Sequence, residues 1–157
     1  MKKLMLIGLA LLTGLSIAHD EGHGPKLSDS PKQGGKVAPV IAAEEASKGL
    51  KASLIYKSEL VRSEDDLIKV YLYDKDMNPL PAAQLSQFVK AAMATVEHVK
   101  KGKIAKTSKF SLELKNGVFE GNMGEKPKTQ TFNIDVKMKD GEKELLAAFD
   151  GLETRIQ

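Results

Sequence analysis

Apolar and polar side chains alternate along most of the chain beyond Gly35. The segment 67–74, LIKVYLYD, shows the pattern best, because from Ile68 to Tyr73 aliphatic residues alternate with a lysine and two tyrosines. A period of two predicts a strand with one buried face. The segments 52–61, 94–103 and, more weakly, 35–41 have the same character, whereas 81–93 predicts a short helix and 42–49 a helical turn.

Two segments near the C-terminus predict β-hairpins whose register can be worked out. In 109–123, Asn116-Gly117 is a strong signal for a two-residue type I′ turn. That turn predicts three cross-strand pairs: Leu114 with Phe119, Leu112 with Gly121, and Phe110 with Met123. In 131–149 we assign the same role to Asp140-Gly141, which predicts Val136 opposite Leu145, Ile134 opposite Ala147, Phe132 opposite Phe149, and Lys137 opposite Glu144.

The strands and turns together predict one all-β domain over residues 36–157. Six to seven short strands, separated by turn signals and accompanied by little helix, are typical of an antiparallel β-sandwich. We therefore expect a single Ig-like β-sandwich whose core is built from the apolar faces of its strands.

The first 18 residues have the three parts of a secretory signal peptide. Lys2 and Lys3 precede the apolar run 4–12, which is too short to span a bilayer as a permanent anchor. Ser16 and Ala18 place small residues at the −3 and −1 positions of a cleavage site. No cysteine follows, so a lipoprotein anchor is not expected. We expect cleavage after Ala18 and a periplasmic or secreted protein that retains 139 of the 157 residues.

Residues 19–35 read HDEGHGPKLSDSPKQGG, in which Leu27 is the only large apolar side chain. Ordering a backbone costs about 1–2 kcal/mol per residue, while burying one leucine returns about 1.5–3 kcal/mol. We therefore predict a flexible tether over 19–35 that becomes ordered only by binding something.

Composition narrows the possible functions. Loss of Lys2 and Lys3 reduces the 24 basic side chains to 22, against 21 acidic ones. The charge therefore gives no reason to expect nucleic acid or an anionic membrane as a partner. Without cysteine there is no disulfide and no thiolate metal site. The sequence contains neither a phosphate-binding loop nor a nucleophile elbow, and we predict a monomer that is not an enzyme.

The candidate chemistry is concentrated at the predicted new N-terminus, in HDEGH at 19–23. After cleavage His19 would carry a free α-amino group and an imidazole, which can chelate one cation in a small ring. Imidazole suits Cu(II), Zn(II) and Ni(II), and both groups ordinarily titrate near neutrality. His23 could supply a third nitrogen, and Asp20 and Glu21 could supply oxygens. The alternative is a solvated polar tail in which the histidines have no ligand role.

His98, the third histidine, shares a predicted strand face with Val96. A structural role is the preferred interpretation. Two alternatives stay open: a ligand that completes a site with His19, or a two-histidine copper brace with His19 that activates oxygen.

Two further features receive structural interpretations. Met123 and Met138 fall on apolar strand faces and are expected in the core. The segment 74–78 has aspartates and an asparagine at the spacing of a calcium loop, but Pro79 and Leu85 occupy the positions that require glycine and glutamate. A turn between strands is expected there instead.

The order of three motifs resembles a known group of exported domains. GGKV at 34–37, SELV at 58–61 and IKVYLYDKDMNPLP at 68–81 resemble the small β-sandwich domain associated with periplasmic adaptor (membrane-fusion) proteins of heavy-metal efflux systems, and related stand-alone exported domains. The resemblance implies capture or delivery of copper, zinc or similar cations by a histidine-rich segment before the glycine pair. Gln33 stands where that group often has histidine, so only the upstream His19 and His23 could take this role.

The leading hypothesis is an exported accessory protein in which His19 and His23 bind Cu(II) or Zn(II), aided by Asp20 and Glu21. The tether would then present the cation to an efflux or envelope protein. The alternative is a non-enzymatic periplasmic β-sandwich that docks a protein partner and has no metal role.

Overall fold

The computed structural model describes residues 24–48 and 51–154, in which strands dominate. In chain order the elements are β1 (Lys36–Ala42), α1 (Ala43–Ser47), β2 (Tyr56–Arg62), β3 (Leu67–Tyr73), α2 (Ala82–Leu85), β4 (Ala91–Lys100), β5 (Lys103–Lys115), β6 (Val118–Asn122), β7 (Thr131–Asp140) and β8 (Lys143–Glu153). The predicted strands are present, but β4 begins at Ala91, inside the predicted helix 81–93, and β5 begins at Lys103, before the predicted hairpin segment 109–123. Of that predicted helix only Ala82–Leu85 is helical, and α1 and α2 are single turns. Neither helix in these ranges has the length and apolar character needed to cross a membrane.

Antiparallel pairing closes the eight strands into one barrel. The order around it is β1-β2-β3-β6-β5-β4-β7-β8, and β1 pairs with both β2 and β8. The prediction of an Ig-like sandwich of six to seven strands is therefore wrong. Alternation shows only that each strand has one buried face, which a barrel and a two-sheet sandwich satisfy equally. The difference lies in the pairing of β1 with β8, the first and last strands.

Apolar side chains from all eight strands fill the barrel. Phe119, Phe132 and Phe149 are the largest of its fully buried side chains, each at most 1% exposed. Phe88, from the connection between β3 and β4, closes one end, where its ring lies 5.8 Å from that of Tyr56 and 6.3 Å from that of Phe119. An eight-stranded barrel is just wide enough for side chains to fill. In the described ranges the interior is therefore a packed core.

The β5–β6 hairpin has the predicted turn. Asn116 and Gly117 both have positive φ, as a type I′ turn requires, and Leu114 pairs with Phe119 as predicted. Cross-strand pairing between β5 and β6 ends at Glu113. The predicted pairs of Leu112 with Gly121 and Phe110 with Met123 are therefore not observed.

The β7–β8 hairpin has the predicted faces, but its register differs by two residues, and by three at Phe132, where the ladder is irregular between Phe132 and Ile134. The loop is Gly141-Glu142, because Gly141 (φ +60°) takes the first loop position, where a type II′ turn needs glycine. The observed pairs are Val136 with Ala147, Ile134 with Phe149, Phe132 with Leu152, and Lys139 with Glu144, in place of the predicted Val136–Leu145, Ile134–Ala147, Phe132–Phe149 and Lys137–Glu144. A shift of two keeps every side chain on its face, so the core is unaffected.

Replacement of Phe119 by alanine should lower the free energy of unfolding by about 3–5 kcal/mol. Its ring is fully buried, so the substitution leaves a cavity that the packed barrel cannot fill. Val89→Ala is the control, because Val89 is 43% exposed; it should cost no more than about 0.5 kcal/mol. Urea denaturation measures both, and equal losses would contradict a packed interior.

Candidate functional site

The residues that lead into β1 are fastened to the barrel through one carboxylate, that of Glu59. Its neighbour Leu60 points into the barrel, so Glu59 lies on the outer face of β2, yet it is fully buried. Its oxygens accept hydrogen bonds from the backbone N–H groups of Lys32 (2.9 Å), Gln33 (2.8 Å) and Gly35 (2.8 Å). The hydroxyl of Tyr73, on β3, donates a fourth at 3.1 Å.

These four donors explain how a charged side chain is accommodated out of water. An isolated buried carboxylate is costly, whereas charge-assisted hydrogen bonds offset its lost hydration. The contact also requires glycine at position 35, because a Cβ built there would lie 2.1 Å from the carbonyl oxygen of Leu60. Gly34 has φ +75°, a conformation that other residues rarely adopt. Backbone geometry therefore explains both glycines of the GGKV motif in this chain.

A second contact lies further along the same segment. The Nζ of Lys57, on the outer face of β2, is 2.8 Å from a carboxylate oxygen of Asp29, and both side chains are largely buried. Together with Glu59, this ion pair holds residues 29–35 along β2. The prediction of a flexible tether over 19–35 rested on its lack of apolar side chains. The attachments seen here are made instead by backbone N–H groups and one charged side chain, which that criterion does not detect.

The four predicted metal ligands, His19, Asp20, Glu21 and His23, lie outside the described residues. Gly24, the residue bonded to His23, is described. It lies against Pro39 and Ile41 on the outer face of β1. A shallow pocket of 240 Å³ opens there, and its lining includes Lys26 and Asp150.

His98 lies inward near the end of β4, in register with Phe132 of β7. It is 5% exposed, and its Nε2 lies 3.5 Å from the hydroxyl oxygen of Ser108. The predicted shared face with Val96 is confirmed, since Val96 is also buried in the barrel. Its burial and its contact with Ser108 favour the structural interpretation of His98.

The loop after β3 is the turn that its sequence predicts. One carboxylate oxygen of Asp74 accepts the backbone N–H groups of Asp76 (2.9 Å) and Asn78 (2.8 Å), and the other accepts the Asn78 side-chain amide. These bonds, led by the Asn78 backbone N–H, lower the pKa of Asp74. Its carboxylate is thus used within the turn. Over 24–48 and 51–154, no group of three or more histidine or carboxylate side chains could hold a metal.

Two of the methionines, Met123 and Met138, were predicted to lie in the core. Met123 (5% exposed) and Met138 (2%) lie in the barrel core, which confirms the expectation for both. Met77 is buried in the loop after β3 with φ +63°, and Met93 is 43% exposed on β4.

Comparisons of this chain with protein-family models, with curated proteins and with solved structures gave no match. The resemblance to domains of heavy-metal efflux systems therefore stays a prediction that rests on the three motifs.

Sequence reasoning missed Glu59 and Tyr73. Both occupy outward positions of alternating strands, where polar residues are ordinary, so their type carries no signal of burial. Only the packing of residues 32–35 over β2 and β3 distinguishes them from exposed neighbours.

Burial, and then the adjacent Glu59 carboxylate, raise the pKa of the Tyr73 phenol to about 12. Both effects disfavour the phenolate. The ordinary value is 10.0, so as the pH rises the unfolded chain loses this proton first. Tyr73 therefore stabilises the fold fully below pH 10, and its contribution is lost as the pH rises towards about 12.

Tyr73→Phe should reduce the fall in unfolding free energy across that pH range, because phenylalanine does not titrate. Urea denaturation at several pH values between about 9 and 12 measures the slope. A smaller slope should remain, since burial also raises the pKa of Tyr56. A slope equal to that of the wild type would exclude Tyr73 as the titrating group.

Glu59→Gln should lower the free energy of unfolding by about 2–4 kcal/mol. Glutamine offers one acceptor oxygen, and its NH₂ group would face N–H donors. The amides of Lys32, Gln33 and Gly35 should also exchange with solvent faster. Urea denaturation and hydrogen exchange measure the two effects.

Glu120→Gln is the matched control for this substitution. Glu120 lies on the outer face of β6, where its side chain is 30% exposed and 3.4 Å from the Nζ of Lys69. Removing such an exposed pair should cost less than about 1 kcal/mol. Equal losses of unfolding free energy in the two variants would contradict a larger stabilising role for the hydrogen bonds of Glu59.

Proposed function

We propose that this chain is an exported, non-enzymatic accessory protein that binds a Cu(II)- or Zn(II)-type cation through His19 and His23 and presents it to a partner in the envelope. The observation that supports this most is the fastening of residues 29–35 by Glu59 and Lys57. It holds the chain that follows the histidines on a rigid barrel. A cation bound by the histidines would then be carried close to a defined surface.

The ligand chemistry rests on a free amine and imidazoles that ordinarily lose their protons near neutral pH. A cation must displace whatever protons remain, so uptake should strengthen as the pH rises from about 6 to 8. Asp20 and Glu21 would contribute oxygens and offset the charge of the cation. The packed barrel interior supports placing this chemistry outside the barrel.

A second candidate is a module that binds a protein and has no metal role. The observation that favours it is the β4–β5 hairpin, in which every residue from 100 to 107 is exposed and four are lysines. Such a projecting, charged element suits recognition of another macromolecule.

Calorimetric titration with Cu(II) and Zn(II) tests the metal hypothesis on protein purified after export, with its N-terminus determined by mass spectrometry. His19→Ala combined with His23→Ala should remove high-affinity uptake. His98→Gln, which removes the remaining histidine, is the control and should leave the affinity unchanged. Equal uptake by all three proteins would exclude the N-terminal site.

A shortened chain provides a second test. The cut should precede Gly24, because a chain that begins at Lys36 would lack three of the four hydrogen-bond donors to the Glu59 carboxylate. The chain that begins at Gly24 should fold with near wild-type stability and bind no cation tightly. Retention of wild-type affinity in this chain would place the ligands elsewhere.

A further inference from the structure

The β4–β5 hairpin has a strongly basic tip, although the charge of the whole chain is nearly balanced. Lys101 and Gly102 form its two-residue turn, and both have positive φ (+52° and +72°), as a type I′ turn requires. Beside the turn, Lys100 pairs with Lys103. All four residues are exposed, and no aspartate or glutamate occurs anywhere in 98–112. The tip is therefore an exposed cluster of three positive charges on a well-defined turn.

The pairing of Lys100 with Lys103 is electrostatically unfavourable. Like charges directly opposite each other on antiparallel strands destabilise the pair. Within the described residues, no ion pair involves Lys100, Lys101 or Lys103. An anionic group between the two opposed ammonium groups would offset this repulsion. The tip therefore has the charge and the exposure of a surface that binds anions.

The loop from β6 to β7 brings a further lysine to the same end of the barrel. Thr131, the first residue of β7, is in register with Val99 of β4, so this loop lies beside the hairpin tip. Its Glu125 contacts Lys106 at 2.7 Å. The pKa of Glu125 is lowered mainly by Lys106 and to a smaller extent by Lys128, which shows that Lys128 lies near this ion pair. Lys128 is exposed and adds its charge to that of the tip.

The exposed carboxylates at this end of the barrel lie away from the hairpin. Glu64 and Asp65 are in the loop from β2 to β3, and Glu153 ends β8. In the order of strands, β6 separates the first two from β5, and β7 separates Glu153 from β4. Positive charge is therefore concentrated on the β4–β5 side of this end.

We propose that the basic tip docks on the anionic surface of a lipid bilayer, where Lys100, Lys101 and Lys103 contact lipid phosphates. Ile104 lies on the opposite strand face from Lys103 and is 42% exposed, so it supplies an apolar side chain at the boundary of headgroups and acyl chains. Each lysine at such a surface strengthens binding roughly fivefold. Three lysines and one isoleucine give a reversible contact that salt weakens, and not a permanent anchor.

The surroundings of the tip favour a bilayer over other anionic partners. The positive charges come from two separate segments, which a planar surface can reach together. An acidic protein strand cannot add to the neighbouring edge of β5, because Gly121 lies against the carbonyl oxygen of Ser111 and Glu125 lies on Lys106. A nucleic acid would find no aromatic side chain in 99–109 on which a base could stack.

Vesicle co-sedimentation tests the proposal on the exported full-length protein. The protein should bind vesicles of phosphatidylcholine mixed with phosphatidylglycerol, should not bind phosphatidylcholine alone, and should be released by salt. Lys100→Glu with Lys103→Glu should lower the partition coefficient for the anionic vesicles at least roughly tenfold. This double change keeps a like-charged pair at the tip, so the free energy of unfolding should stay near the wild-type value.

Lys75→Glu with Lys143→Glu is the matched control for this pair of substitutions. It changes the net charge equally, at exposed positions in the loop after β3 and at the start of β8. Both positions are at the opposite end of the barrel from the basic tip. The control should bind the anionic vesicles like the wild type.

A tryptophan probe identifies the face that meets the bilayer, because the chain contains no tryptophan. The emission of Ile104→Trp should shift to the blue on anionic vesicles and should be quenched by brominated lipid. Val89→Trp is the control, since Val89 is 43% exposed just before β4, at the other end of the barrel. It should show neither effect.

Several outcomes would overturn the proposal. Equal binding to phosphatidylcholine alone, or an equal loss of affinity in the Lys75 and Lys143 control, would mean that the charge of the tip does not determine binding. An unchanged emission of Ile104→Trp on bound vesicles would place the contact on another face. Tighter binding of poly-glutamate or single-stranded DNA than of anionic vesicles, measured by competition, would make a protein or a nucleic acid the occupant.

Discussion

The barrel depends on β1, the strand that closes it. β1 is in register with β2 over five residue pairs but with β8 over only three, at Val40, Ile41 and Ala42. Without the short β1–β8 seam, β1 and β8 would be the edges of an open sheet, and water would reach its apolar inner face. Glu59 supports the strand from outside, because the N–H group of Gly35, immediately before β1, is among its donors.

Because the Glu59 carboxylate is buried, the hydrogen bonds that hold residues 32–35 affect the stability of the whole barrel. If residues 32–35 leave β2, Glu59 loses three of its four donors and either becomes exposed to water or stays buried without compensation. Both outcomes disturb the chain just before the seam. The coupling also restricts the sequence, because the backbone passes so close to Leu60 that position 35 has no room for a Cβ. A segment whose composition resembles a tether is thus held by hydrogen bonds rather than by apolar burial.

Much of the local structure could be predicted from the sequence, because alternation and turn residues report local geometry. Most of the strand segments, the core positions of Met123 and Met138, and the turn at Asn116-Gly117 followed from these signals. The Asp140-Gly141 prediction kept the correct faces and missed the register, because a two-residue shift moves no side chain from one face to the other. Barrel closure and the burial of Glu59 could not be predicted, because both depend on contacts between residues far apart in the chain.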